Sequence, residues 1–281
     1  CVMLREKMDV SAIEFTEATS FPNSSKEIHQ NLVAKGIASI YKGEFKKVVL
    51  SRKEVQAVTD FELIKTYLKL LHLYPNAFVY VWYHPKVGLW FGATPETLLN
   101  VDSNQFKTMS LAGTQVYKKN VKPSWTDKEI DEQSLVTSYI VAKLAAFSKN
   151  LKLSDTVSMK AGALWHLKTD IVGELDEVKE DGLEQLIRML HPTPAVCGLP
   201  KNSAKKFILE NENYDRSFYT GFLGELNMEA KSTSLFVNLR CMQIIDNKAI
   251  IYVGGGITKE SVPEKEWKET VSKSNIMRKV L

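Results

Sequence analysis

Two stretches of this sequence carry carboxylates at a spacing that could hold a cation. Glu129 and Glu132 stand at i and i+3, and Glu266, Glu269 and Lys273 at i, i+3 and i+7, so on a helix each set shares one stripe. Each set sits just inside a helix start. Thr126 to Glu129 and Ser261 to Glu264 both have the spacing of a capping box, with Pro263 tolerated in the first turn. Either stripe alone reads as a solvated face at a helix end whose dipole favours anions. If the stripes faced each other, four carboxylates would converge and require a cation. With oxygen donors only and no His or Cys nearby in sequence, Mg²⁺ suits such a site best.

Other residues offer chemistry with a bland alternative beside each. Glu96 follows Pro95 and precedes an apolar run, so it is either a desolvated acid with a raised pKa, able to protonate a leaving group, or a strand-start residue pointing to water. Gly254, Gly255 and Gly256 directly follow a strand-like run. They read as a turn or bulge, or as a place where backbone N–H groups approach an anion. Lys259 replaces the third glycine that a dinucleotide fingerprint would need. Arg240, amid apolar residues in mid-strand, wants a planar anion such as a carboxylate, or a structural ion pair. His166 is equally a core histidine or a substrate contact. The segments 111–114, 164–166 and 191–198 read as shaped loops. In the octet "FKKVVLSR", Lys46, Lys47 and Arg52 read first as the solvated ends of a buried strand.

The elements that must position these groups are an alternation of short strands and helices. Strand-like runs fall at 46–51, 77–83, 87–92, 97–101, 234–245 and 248–254, and helix-like segments at 26–41, 60–72, 127–148, 182–190, 201–210 and 262–279. Consecutive strands without helices between them imply antiparallel sheets. Residues 116–126 and 150–158 read as exposed connections, and no linker divides the chain. Its 281 residues, 44% hydrophobic and 25% charged, suffice for one large α/β or α+β domain or for two ordinary ones. The net charge of +4 is dispersed, which argues against nucleic acid and against a polybasic membrane tract. Cys1, Cys197 and Cys241 lie far apart, so no disulfide framework or zinc site is expected. The longest apolar helical stretch, 135–147, is too short and mixed to span a bilayer, and no signal peptide is recognised. A cytoplasmic location is expected. The start at Cys1 suggests a trimmed or missing N-terminal segment.

Taken in order, "KVVLSR", "GATPETLL", "LAGT", "KEIDEQSLV", "ALWHL", "LHPTPAVCGLPK", "YDRSFYTGFLGE", "LFVNLRCMQI", "YVGGGI" and "SVPEKEWKET" resemble the chorismate-utilising enzymes, collinearly from about residue 45 to 273. The resemblance implies an α+β fold of two large, packed, mainly antiparallel sheets with helices outside. It also implies a single chorismate-binding catalytic domain over 1–281, with a shortened N-terminal portion at 1–44. Relatives that add ammonia usually carry glutamine where Lys47 stands. Those that form a covalent lysine adduct carry that lysine where Ala112 stands. Lys47, Ala112 and Ala195 in the "HPTPA" run therefore look like the isochorismate synthase branch. Gln133, Cys197 and Ser217 depart from common family residues.

What the resemblance implies for mechanism is Mg²⁺-dependent conversion of chorismate to isochorismate. A neutral Lys47 would take a proton from the water that attacks C2, and a protonated Glu96 would give one to the departing C4 hydroxyl. Lysine, ordinarily near ~10.4, and glutamic acid, near ~4.3, would each have to hold the unusual protonation state. Glu132 and Glu266 would bind the metal, supported by Glu129 and Glu269. Arg240, the Gly254 to Gly256 backbone and Lys273 would hold the enolpyruvyl carboxylate, and Gly113, Thr114, His166 and Ala195 would line the substrate site. A monomer is expected, and no glutamine amidotransferase partner is expected, the latter because no ammonia is used. The rival readings are a salicylate synthase, which goes on to eliminate pyruvate, and a non-catalytic chorismate-binding subunit.

Overall fold

Strands rich in Val, Ile, Phe and Tyr are interspersed with helices, and the buried faces of helices and strands close on one another. The computed structural model describes residues 24–175, 182–227 and 232–281, so residues 1–23 of the expected N-terminal portion lie outside the described residues. In chain order the elements are α1 (Ser24–Tyr41), β1 (Lys47–Ala57), α2 (Leu63–Leu73), β2 (Phe78–His84), β3 (Gly88–Thr94), β4 (Thr97–Asp102), β5 (Gln105–Val116), α3 (Asp127–Leu144), β6 (Ser148–Leu153), β7 (Val157–Ala161), β8 (Leu164–Leu175), α4 (Gly182–Leu190), β9 (Gly198–Leu199), α5 (Lys201–Asn211), β10 (Phe222–Asn227), β11 (Ser232–Val237), β12 (Cys241–Ile245), β13 (Lys248–Ile257) and α6 (Pro263–Arg278).

The first sheet runs β2-β3-β12-β13-β1-β9. The second runs β10-β11-β4-β5-β8-β6, with β7 also on β8. Every pairing is antiparallel, as the expected fold class requires. Helices α1, α5 and α6 cover β1 and β13, while α3 lies on β5 and β8 with α4 beside it. One apolar cluster joins Leu99, Ile171 and Leu235 to Ile140 and Leu186 under α3 and α4. A second seats Leu50 and Ile257 under Val33 of α1 and Phe207 of α5. Leu164 of β8 packs with Phe91 and Val253 of the first sheet, which brings the two sheets together.

Several expectations change. The run at 234–245 is two strands in different sheets, β11 and β12, and residues 238–240 cross between them. Arg240 is therefore not mid-strand but at the crossing, with φ +49°. The segments 111–114 and 164–166 belong to β5 and β8, and the supposed connection at 150–158 carries parts of β6 and β7. The capping box at Thr126 and Glu129 forms, but α6 starts from Val262, and Ser261 Oγ instead accepts the Thr258 N–H at 3.2 Å. Lys46 is exposed as expected, whereas Arg52 is buried: its Nε donates to Thr270 Oγ1 at 2.8 Å and its guanidinium lies 4.3 Å from the Trp267 ring centroid. Alternation fails to expose it because β1 is covered on both faces. Among the described residues, no helix is long and apolar enough to cross a membrane.

Candidate active site

Between the sheets lies a cavity walled by Val49 of β1, Gly254 and Gly256 of β13, Gly113 and Thr114 of β5, Glu132 of α3, His166 of β8 and Lys273 of α6. Glu96, from the turn joining β3 to β4, Ala195 and Arg240 complete it. Of the residues singled out in the sequence, Lys47 and Gly255 do not line this cavity. Glu129, Glu266 and Glu269 line an adjoining outer cavity that shares Thr114. Tyr219 and Thr220 also wall the inner cavity and escaped the sequence reading, although they lie inside the quoted "YDRSFYTGFLGE" run.

Two glycines let the charged groups approach. Gly113 sits at φ +70° where β5 shifts register, and a Cβ there would come 3.1 Å from Glu129 Cβ. Helix α3 can therefore lie close on β5 and carry Glu132 inward. Gly256 pairs with Val49, and a Cβ on it would fall 2.1 Å from Glu132 Oε1 and 3.0 Å from Lys47 Cε. No side chain fits there while Glu132 points in. The pairing of β12 with β13 ends at Tyr252, so the edge of β13 beyond it has no strand partner on that side.

Lys47 is fully buried, and its Nζ stands 2.9 Å from Glu132 Oε1, an ion-pair distance without hydrogen-bond angles. Burial pushes Glu132 up, but Lys47 and then Lys128 outweigh it and hold the carboxyl below its usual value. Glu96 goes the other way. Its burial raises the carboxyl to about 7, although Lys47, Arg240 and Lys273 all pull it down. The desolvated reading of Glu96 is therefore the one the fold realises.

Arg240 donates from Nη2 to His166 Nε2 at 2.8 Å, so Nε2 is the acceptor and the ring proton is on Nδ1, which donates to Gly113 O at 2.8 Å. Burial and then the Arg240 cation push His166 well below its usual value, so it stays a neutral orienter of Arg240. Lys273 bridges Glu269 Oε1 at 2.7 Å and Gly254 O at 2.9 Å, tying α6 to β13. Behind the cavity, Ser51 Oγ donates to Glu212, and Arg216 clamps Glu212 while donating to Val49 O at 2.7 Å and Val196 O at 3.1 Å.

The four acidic residues do not all converge. Glu129 is spent on its cap, accepting from the Thr126 N–H and hydroxyl. Among the described residues, no group of three or more His, Cys, Asp or Glu is drawn together closely enough to hold a metal. Lysines hold the other three instead: Lys47 with Glu132, Lys128 with Glu266 at 2.5 Å and Lys273 with Glu269. The donor chemistry still suits Mg²⁺. Glu266 Oε2 is buried without a partner, and Glu266 and Glu269 both approach Gly255. Burial, then the neighbouring Glu269, raise the Glu266 carboxyl above its usual value against the pull of Lys128.

Residues 4–281 match the Chorismate binding enzyme family. The chain belongs to that family. It is 31% identical over 279 residues to the isochorismate synthase DhbC of Bacillus subtilis, covering 92% of this chain and 69% of that protein. It is 30% identical over 260 residues to the salicylate biosynthesis isochorismate synthase of Pseudomonas aeruginosa, covering 89% of this chain but 53% of that protein. The structure of the 2,3-dihydroxybenzoate-specific isochorismate synthase DhbC from Bacillus anthracis superposes with a TM-score of 0.85 at 27% identity, over 95% of this chain and 76% of that one. In this chain, residues of the motifs quoted from the sequence wall the inner cavity, and the first turns of α3 and α6 wall the outer one.

Proposed function

We propose that the chain is an isochorismate synthase, converting chorismate to isochorismate within one catalytic domain. The observation that carries this reading is Glu96: a buried acid at the cavity wall, raised to about 7 and surrounded by cations. A group of that kind can hold a proton at neutral pH for a leaving hydroxyl. Water attacks C2 of the ring and loses its proton to Lys47, the ring double bonds shift, and the C4 hydroxyl leaves with the Glu96 proton. Water enters and leaves once, so the reaction is an isomerisation. Lys47 has to be released from Glu132 to act as base. Arg240, oriented by His166, and the open edge of β13 suit the enolpyruvyl carboxylate. The family implies Mg²⁺, which Glu132, Glu266 and Glu269 would hold; bound there, it would neutralise the ring carboxylate. Because no ammonia enters, no amidotransferase partner is required.

The test is to incubate the purified protein with chorismate and Mg²⁺ and to separate the products. Isochorismate alone is the expected result. Salicylate with pyruvate would replace this reading by that of a salicylate synthase, and binding without turnover would reduce the chain to a chorismate-binding subunit.

A further inference from the structure

Lys128 has no part in the chemistry above, yet it makes the closest contact to the metal carboxylates. It lies in the first turn of α3, and its Nζ reaches Glu266 Oε1, 138 positions away in sequence, at 2.5 Å. The Glu266 side chain is 1% exposed, whereas that of Lys128 is 21% exposed and borders the outer cavity. A buried carboxylate beside a second one needs a positive charge. Lys128 supplies that charge from the solvent side, and Glu266 Oε2 is still left without a partner.

We propose that Lys128 is a resident counter-cation that holds the α6 carboxylates in the metal-free protein and must swing out when a divalent ion takes Glu266. The proposal rests on the reading that this site takes Mg²⁺. An ammonium and a divalent cation cannot share one buried carboxylate without strong repulsion. Of the three lysines, Lys128 is the one with solvent to swing into: its four-carbon stem borders an open cavity, while Lys47 is fully buried and Lys273 is also tied to Gly254 O. A divalent ion therefore has to compete with Lys128 for Glu266, and apparent affinity falls in proportion.

The test titrates MgCl₂ into the full chain without substrate, following heat and melting temperature. Lys128→Met keeps the stem and removes the charge. It is expected to melt lower without metal, to bind Mg²⁺ about tenfold more tightly and to show a larger Mg²⁺-induced rise in melting temperature. Lys128→Arg retains the charge and is expected to bind no more tightly than the parent. Lys128→Gln serves as the neutral variant if the methionine form does not fold. Mg²⁺ binding by the parent with equal or weaker binding by the neutral variants overturns the role of Lys128. No Mg²⁺ binding by any of these proteins overturns the metal reading itself.

Discussion

At the scale of single residues, burial sets Glu96 at about 7, against an ordinary 4.5. Between those values, the unfolded chain releases a proton that the folded chain keeps, so this group makes stability fall as pH rises from about 4.5 through about 7. The full cost is about 3 kcal/mol. Glu96→Gln should therefore raise the melting temperature at pH 8 while changing it little at pH 4; equal changes at both pH values would remove the case for a buried, protonated Glu96. As the acid, Glu96 should also make kcat/KM decline above about pH 7, and Glu96→Gln should lower turnover by about 10²- to 10⁴-fold. Lys47→Met is expected to lower turnover comparably. It should also destabilise, because it leaves Glu132 buried without its ion-pair partner, a loss of about 3–5 kcal/mol measurable by denaturant unfolding.

At the scale of elements, the site depends on how closely α3 and β13 can approach. Gly256→Ala places a Cβ within 2.1 Å of Glu132 Oε1, so Glu132 has to withdraw from Lys47. Activity should fall steeply, with a stability loss of about 1–3 kcal/mol. Gly113→Ala adds backbone strain at φ +70° to a contact with α3, and should cost a similar amount. If either variant kept full turnover, the close packing of helix on strand would not be what places Glu132. The helices were legible from sequence because a 3.6-residue apolar period and the Thr126 to Glu129 cap are local signals. Strands β5 and β8 were not. Their residues near Gly113 and His166 mix small, polar and aromatic types, and they are held as strands by each other across a long separation. The split of 234–245 was hidden for the same reason, since an apolar run does not declare which sheet it joins.

At the scale of the whole molecule, the two sheets share one functional wall. Arg240 stands at the crossing between them and His166 on β8. Unfolding should accordingly be one transition, with far-ultraviolet circular dichroism and tryptophan fluorescence coinciding. Separate transitions for the two sheets would contradict a single catalytic domain. The candidate site was legible as an ordered series of short motifs, but their partners were not. Sequence spacing put Glu129 and Glu132 on one stripe, yet the fold uses Glu129 as a cap and turns Glu132 to Lys47. The octet ending at Arg52 suggested two solvated ends, and only Lys46 is one.

By itself, the sequence determined the α+β class, the helices, the family and the residue types able to do acid, base and cation chemistry. These follow from local periodicity, capping and motif order. Only the tertiary structure decided which of those residues meet, that Glu96 is buried among cations and that lysines face the acidic stripes. Burial and ion pairing are relations between distant segments, and no local pattern fixes them.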